Sequence, residues 1–216
     1  MTADLETEKR LAAEAAAGLV EDGMRLGLGT GSTVAYLLPA LADRNLDLRC
    51  VATSPGTERA ARQLGISVEP FRLDHLDMAI DGADQIDPDG WLVKGGGAAH
   101  TREKLVAVTA QRFVVIGDST KLVERLHPPV PLELLAFGVE STLKRLGEVR
   151  VRDVPPSPDG GVIADFIGPI DDPGQLAAYL RQVPGVVEHG LFPPDLVATI
   201  IVGRGASTET IDMSRG

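Results

Sequence analysis

Two aspartates three residues apart, a lysine leading three glycines, and a glutamate two residues after a threonine fall between positions 81 and 104. They read Asp81-Gly82-Ala83-Asp84, Lys94-Gly95-Gly96-Gly97 and Thr101-Arg102-Glu103-Lys104. Consecutive glycines give up packing and cost backbone entropy, so a chain carries them where backbone approaches a ligand or takes positive φ. Acid, base, cation and bare N–H groups are the parts needed to move a proton beside a carbonyl on a phosphorylated substrate. Asp81 stands at the C-terminal end of a strand, where α/β sheets place ligand groups, and Asp84 is close enough to share its site. Glu103 does not fit a capping box, since the acid would have to stand at Lys104, three residues after Thr101. A helix N-terminus favours the ionised glutamate and so weakens it as a base; exclusion of water has to offset that. No histidine pair or third acidic ligand accompanies Asp81 and Asp84, and His75, His100, His127 and His189 show no ligand spacing, so no metal is expected.

A second constellation, Gly27-Leu28-Gly29-Thr30-Gly31-Ser32-Thr33, follows a strand and opens a helix. Free N–H groups and the positive end of the helix dipole would face an anion there, with the hydroxyls of Thr30, Ser32 and Thr33 as further donors. It is not a P-loop, because no Gly-Lys-Ser/Thr follows. It is not a dinucleotide site either, because Val51-Ala52-Thr53-Ser54 lacks the acid that would hold a ribose. Lys121, after Asp118-Ser119-Thr120, is a second candidate cation.

The elements that must position these groups alternate strand and helix, as in a parallel sheet. The pattern predicts helices over about 5–20, 32–42, 57–64 and 102–110, and strands over 24–28, 48–53, 77–80 and 113–116. After residue 126 the texture changes, with eight of the 15 prolines between Pro128 and Pro173. There the order is strand 132–135, helix 138–146, strand 149–151, strand 162–166, helix 173–183, strand 186–190. That is the split, ferredoxin-like βαβ-βαβ arrangement. Asp172-Pro173 is a good N-cap followed by an N1 proline. Residues 197–202 form a last apolar strand, counted with the smaller domain yet able to return to the first.

Composition narrows the partners. The chain has 216 residues and a formal net charge of −10, an acidic balance that argues against nucleic acid or an anionic membrane as the main partner. An anionic substrate must then be held by local N–H groups and a few lysines. No apolar stretch approaches the roughly 20 residues that span a bilayer, and residues 1–20 lack a signal-peptide core. The single cysteine, Cys50, suits a reducing compartment. A cytoplasmic location is expected.

Together these segments resemble the A-type ribose-5-phosphate isomerase family. The matching pieces are GLGTGST (27–33), TSPGT (53–57), DGAD (81–84), KGGGAAHTREK (94–104), the Asp-Ser-Thr-Lys run (118–121) and PGVVEHGLF (184–192). The resemblance implies an α/β fold: a Rossmann-like catalytic domain over residues 1–126 plus about 203–216, and a small α/β lid or oligomerisation domain over 127–202. It implies a homodimer or homotetramer and, with no cofactor, interconversion of ribose 5-phosphate and ribulose 5-phosphate in the pentose phosphate pathway. Carried onto this sequence, Glu103 moves the proton between C2 and C1, and Lys94 with Gly95, Gly96 and Gly97 steadies the oxyanion. Asp81 and Asp84 handle hydroxyl protons and ring opening, and Gly82 and Ala83 between them contact the substrate. Thr30, Gly31, Ser32 and Thr33 hold the phosphate with Lys9, and Lys121 adds positive potential. The chain departs from the family pattern at Gln85 (usually Glu), His100 (usually apolar), Thr120 (usually Ser) and Pro131-Leu132-Glu133-Leu134 (usually Pro-Val-Glu-Val). An amino-sugar phosphate deaminase or CoA transferase on a related scaffold is the enzymatic alternative. A non-catalytic sugar-phosphate sensor is the other, but no basic helix-turn-helix is visible.

Overall fold

The computed structural model describes residues 4–72 and 74–213. Residues 1–3, 73 and 214–216, counted in the expected domains, lie outside the described residues. Two compact units divide the chain: Met1–Ala83, Arg102–Lys121 and Asp195–Gly216 form the first, and Asp84–Thr101 and Leu122–Pro194 form the second.

The elements, in chain order, are α1 (Leu5–Ala17), β1 (Arg25–Leu28), α2 (Ser32–Ala42), β2 (Arg49–Ala52), α3 (Pro55–Gln63), β3 (Leu76–Gly82), β4 (Gln85–Ile86), β5 (Leu92–Val93), α4 (His100–Thr109) and β6 (Ala110–Asp118). A 3₁₀ turn over Ser119–Lys121 follows, then β7 (Val130–Leu134), α5 (Val139–Leu146), β8 (Val149–Val151), β9 (Val162–Phe166), α6 (Pro173–Gln182), β10 (Val186–His189), β11 (Leu191–Phe192), β12 (Val197–Arg204) and β13 (Ser207–Asp212).

In the first unit six strands run in the order β13-β12-β6-β3-β1-β2. The pairs β1–β2, β1–β3, β3–β6 and β6–β12 are parallel, and β13 lies antiparallel to β12. Taking the parallel strands in chain order, the arrangement is 2-1-3-4-5, the flavodoxin-like variant of the doubly wound sheet. Helices cover the parallel strands, so Phe113, Val114, Val115 and Ile116 of β6 are all buried and read as an unbroken apolar run rather than an alternation. On α1 the buried stripe is Ala12, Ala13, Ala16 and Ala17, one helical face whose small side chains let the helix lie close on its neighbours. Cys50, buried in β2, has its thiol pushed up to about 12 by burial, with the Glu69 charge adding to it.

In the second unit β7-α5-β8-β9-α6-β10 builds an antiparallel sheet in the order β10-β7-β9-β8, the ferredoxin-like arrangement expected from the sequence. Asp172 caps α6 as its position predicts, its side chain accepting the Gln175 N–H at 2.9 Å, with Pro173 next in line. A three-stranded ladder β11-β5-β4 completes the unit.

Three features differ from the expected pattern. The division does not fall at residue 126: β12 belongs to the first unit, where it pairs with β6, and the segment 84–101 belongs to the second. The ladder β11-β5-β4 consists of two-residue strands, too short to show any periodicity. The edge strand β13 is almost wholly exposed, so no apolar face marks it, and its antiparallel pairing makes the main sheet mixed.

Candidate active site

Ligands of an open doubly wound sheet bind beyond the carboxyl ends of its strands, where the strand order reverses. Here that point lies between β1 and β3, and the first unit brings two of the sequence-predicted groups together there. The Gly29 N–H donates to the Ile80 carbonyl at 2.9 Å, which draws the loop after β1 onto β3. Asp81 then accepts the Thr30 N–H at 3.0 Å and the Gly82 N–H at 2.7 Å on the same oxygen, Oδ1. Glycine at 29 is required by this approach, since a Cβ there would lie 2.0 Å from the Asp81 carboxyl carbon. Thr57 supports the loop from below by donating to the Gly29 carbonyl at 2.9 Å, and the Thr30 and Thr53 hydroxyls meet at 2.8 Å. The TSPGT segment is therefore a brace for the glycine turn: Ser54 caps α3, with Pro55 opening it two residues before the expected start at Thr57.

The loop ends at Gly31, which takes the cap position of α2 without any side-chain cap, so the first-turn N–H groups are not consumed by a side chain. Ser32 is exposed and Thr33 is buried. Replacing Ser32 and Thr33 together by alanine should raise KM for a phosphorylated substrate about tenfold while kcat falls less than threefold, because grip on a group unchanged during reaction is uniform binding. Steady-state kinetics on the double variant check this; an unchanged KM would place the anion elsewhere.

Around the end of β6, Asp118 accepts the Thr120 N–H at 3.0 Å and the Thr120 hydroxyl, shaping the turn that carries Lys121. Glu8, unremarked in the sequence, anchors this turn. It is 1 % exposed and accepts N–H groups from Ser119 at 2.8 Å and Gly205 at 2.7 Å. Burial raises the Glu8 pKa, but the Gly205 and Ser119 hydrogen bonds outweigh it and hold the carboxyl below its ordinary value. Lys9 next door is engaged by Glu6 at 2.7 Å, and that bond raises its pKa. A phosphate would have to compete with Glu6 for this ammonium. Glu103, in the first turn of α4, is 4 % exposed, and Val106 of the same helix packs over Gly27 of β1.

The second unit holds Asp84, Lys94 and the glycine loop. Asp84 is exposed, and its Oδ2 accepts the Gly96 N–H at 2.8 Å. Gly96 has to lack a side chain, because a Cβ would sit 2.8 Å from Asp84 Oδ1. Lys94 is 2 % exposed, with its Nζ 5.4 Å from the centroid of the Phe192 ring. Its backbone is fixed by the Lys94 N–H to the Gly190 carbonyl at 2.8 Å, next to β11.

The helix that carries Glu103 begins at His100, earlier than the expected start, and Thr101 is inside it rather than at its cap. The Thr101 hydroxyl instead donates to Glu133 at 2.5 Å, and Ser157 donates to the other Glu133 oxygen. Glu133, 3 % exposed in β7, thus pins the start of α4. Two departures from the family pattern gain a place in the structure. Gln85 is a buried double clamp on His127, accepting its N–H at 2.8 Å and donating to its carbonyl at 2.8 Å. His100 is fully buried and its ring lies against Gly95. Among the described residues, no three His, Cys, Asp or Glu side chains cluster so as to hold a metal ion.

The first unit is a doubly wound α/β sheet with a carboxylate and an uncapped glycine turn at its switch point; the second is a ferredoxin-like α/β unit with a buried lysine and a glycine loop. The family model for ribose 5-phosphate isomerase A (phosphoriboisomerase A) matches residues 49–207. A curated relative of that name from Methanosarcina acetivorans is 47 % identical over 202 residues, covering 86 % of each chain. The crystal structure of ribose 5 phosphate isomerase A from Neisseria gonorrhoeae superposes with a TM-score of 0.94 at 29 % identity, over 100 % of both chains. A D-ribose-5-phosphate isomerase solved in complex with phospho-erythronic acid gives a TM-score of 0.91 at 33 % identity, over 97 % of this chain and 99 % of that one. The chain belongs to the ribose 5-phosphate isomerase A family.

Proposed function

We propose that this chain interconverts D-ribose 5-phosphate and D-ribulose 5-phosphate through an enediol(ate), with Glu103 as the base. The observation that carries this reading is the tie between Asp81 and the Thr30 N–H, which sets a carboxylate beside an uncapped helix N-terminus suited to a phosphate. Phospho-erythronic acid, the ligand of the relative described above, supports the enediol(ate). It is a phosphorylated four-carbon sugar acid whose carboxylate presents two oxygens on one carbon end, much as the reacting edge of the intermediate presents O1 and O2. An amino-sugar phosphate deaminase, a CoA transferase or a sensor is not favoured by any of the relatives compared.

In this reading Glu103 takes the C2 proton of the open-chain aldose and returns it to C1. Lys94 and the N–H groups of the glycine loop stabilise the oxyanion. Asp81 and Asp84 move hydroxyl protons during ring opening, and Thr30 to Thr33 hold the phosphate, with Lys9 and Lys121 contributing positive potential. A cytoplasmic location and a homodimer or homotetramer belong to the same reading. Light scattering would measure the association of copies.

The reaction in this reading needs no metal. Protein treated with excess EDTA and desalted should convert ribose 5-phosphate to the ketose, followed by ketose absorbance, at a rate within about twofold of the untreated protein, as expected for general acid–base rather than Lewis-acid chemistry. Loss of turnover on chelation, restored by a divalent ion, would recast Asp81 and Asp84 as metal ligands. No turnover in either sample would remove the isomerase reading.

A further inference from the structure

The glycine loop is held from its carbonyl side by a residue that neither spacing nor motif singles out. Arg152 lies just past β8, its N–H bonded to the Ile163 carbonyl at 2.9 Å. Its guanidinium faces two ways. Nε and Nη2 form a bidentate pair with Asp165 of β9, at 2.9 and 2.6 Å. Nη1 donates to the Gly95 carbonyl at 3.0 Å and to the Gly96 carbonyl at 3.2 Å. Asp165 is 5 % exposed, so the pair is set in the protein rather than on its surface.

One peptide unit carries both contacts that matter. The Gly95 carbonyl that receives Arg152 and the Gly96 N–H that donates to Asp84 belong to the same planar amide. In a trans peptide the C=O and N–H point in opposite directions, so fixing one fixes the other. Two glycines flank this amide and supply little torsional restraint of their own, and the only backbone bond on the Gly95 carbonyl among those described is the Ala98 N–H at 3.1 Å, so Arg152 is its charged anchor. Asp84 is exposed, so packing does not hold its carboxylate either. A cation on the carbonyl also polarises the amide and strengthens the bond its N–H gives, as linked hydrogen bonds do.

We infer that Arg152, oriented by Asp165, is a positioning residue for the reaction: it clamps the Gly95–Gly96 peptide by its carbonyl and so aims the Gly96 N–H at Asp84. The inference rests on the assignment of Asp84 and the glycine loop to catalysis given above. In this role Arg152 acts through the loop and not on a reacting atom. Its effect passes through one amide, and the planar fork is required, because a lysine cannot grip Asp165 on two edges and the loop with a third.

The test is a double-mutant cycle in the full-length protein, read as kcat and KM for ribose 5-phosphate, with circular dichroism on every variant. Arg152→Ala should lower kcat by about 10- to 100-fold and change KM less than about threefold, the split expected when preorganisation rather than binding is lost. Arg152→Lys should recover only part of the loss. Asp165→Asn, which nearly preserves volume, should show a smaller loss of the same kind, and it replaces Arg152→Ala if that variant fails to fold. In the Asp84→Asn background, Arg152→Ala should cost less than about threefold in kcat, because coupled residues are not additive. Wild-type kcat in Arg152→Ala or Asp165→Asn, or fully additive losses with Asp84→Asn, would overturn the inference while leaving the isomerase assignment intact. Wild-type activity in both Asp84→Asn and Lys94→Ala would instead overturn the assignment on which it rests.

Discussion

Glu103→Gln should lower kcat by about three orders of magnitude with KM nearly unchanged, since a positioned base is typically worth 10²–10⁴-fold. The substitution nearly keeps the shape and removes the carboxylate that would accept the proton. Glu103 is 4 % exposed in the first turn of α4, so an isosteric amide leaves the packing around it in place. Kinetics on Glu103→Gln check this directly: retention of more than about a tenth of wild-type kcat would remove Glu103 from the role.

The second large effect is expected at Lys94. Lys94→Ala should cost about 10²–10³ in kcat, the range seen when one oxyanion donor is removed, and should do more harm than Lys121→Ala or Lys9→Ala. The three lysines sit in different surroundings. Lys94 is 2 % exposed with its ammonium over the Phe192 ring, in a water-poor setting where a charge acts strongly. Lys121 is half-buried on a 3₁₀ turn, and the Lys9 ammonium rests on Glu6. In the proposed mechanism charge on O1 and O2 develops only along the reaction path, so loss of Lys94 is expected to fall on kcat, and loss of the other two on substrate attraction and KM. Lys94→Arg should not rescue, because a planar fork does not replace a compact ammonium beside glycines. A side-by-side kinetic comparison of the three alanine variants decides it; a larger kcat loss in Lys121→Ala would move the oxyanion role to Lys121.

Much of this arrangement is legible in the sequence, for identifiable reasons. The buried strands β1, β3 and β6 are short apolar runs ended by glycine or aspartate, and α2 matches its expected span of 32–42. The ferredoxin-like order in the second half follows from strand and helix lengths alone. What stays hidden is long-range. Glu8 finds Gly205 at a separation of 197 residues, Thr101 finds Glu133 at 32, and Arg152 finds Gly95 at 57. In the sequence each looks like an ordinary surface charge or hydroxyl; only the fold supplies the partner that makes burial tolerable. The apparent cap at Thr101 misleads for the same reason, since its hydroxyl has a better acceptor in β7 than a backbone N–H of its own helix. Strand β13 carries no apolar alternation because neither of its faces is buried.

The most direct test of proton transfer by Glu103 is isomerisation in D2O followed by NMR. Wild-type protein given ribose 5-phosphate should place deuterium at C1 of the ribulose 5-phosphate formed and, on approach to equilibrium, at C2 of the remaining ribose 5-phosphate. Glu103→Gln should do neither on the same timescale. Deuterium incorporation by Glu103→Gln at the wild-type rate would contradict proton transfer by Glu103.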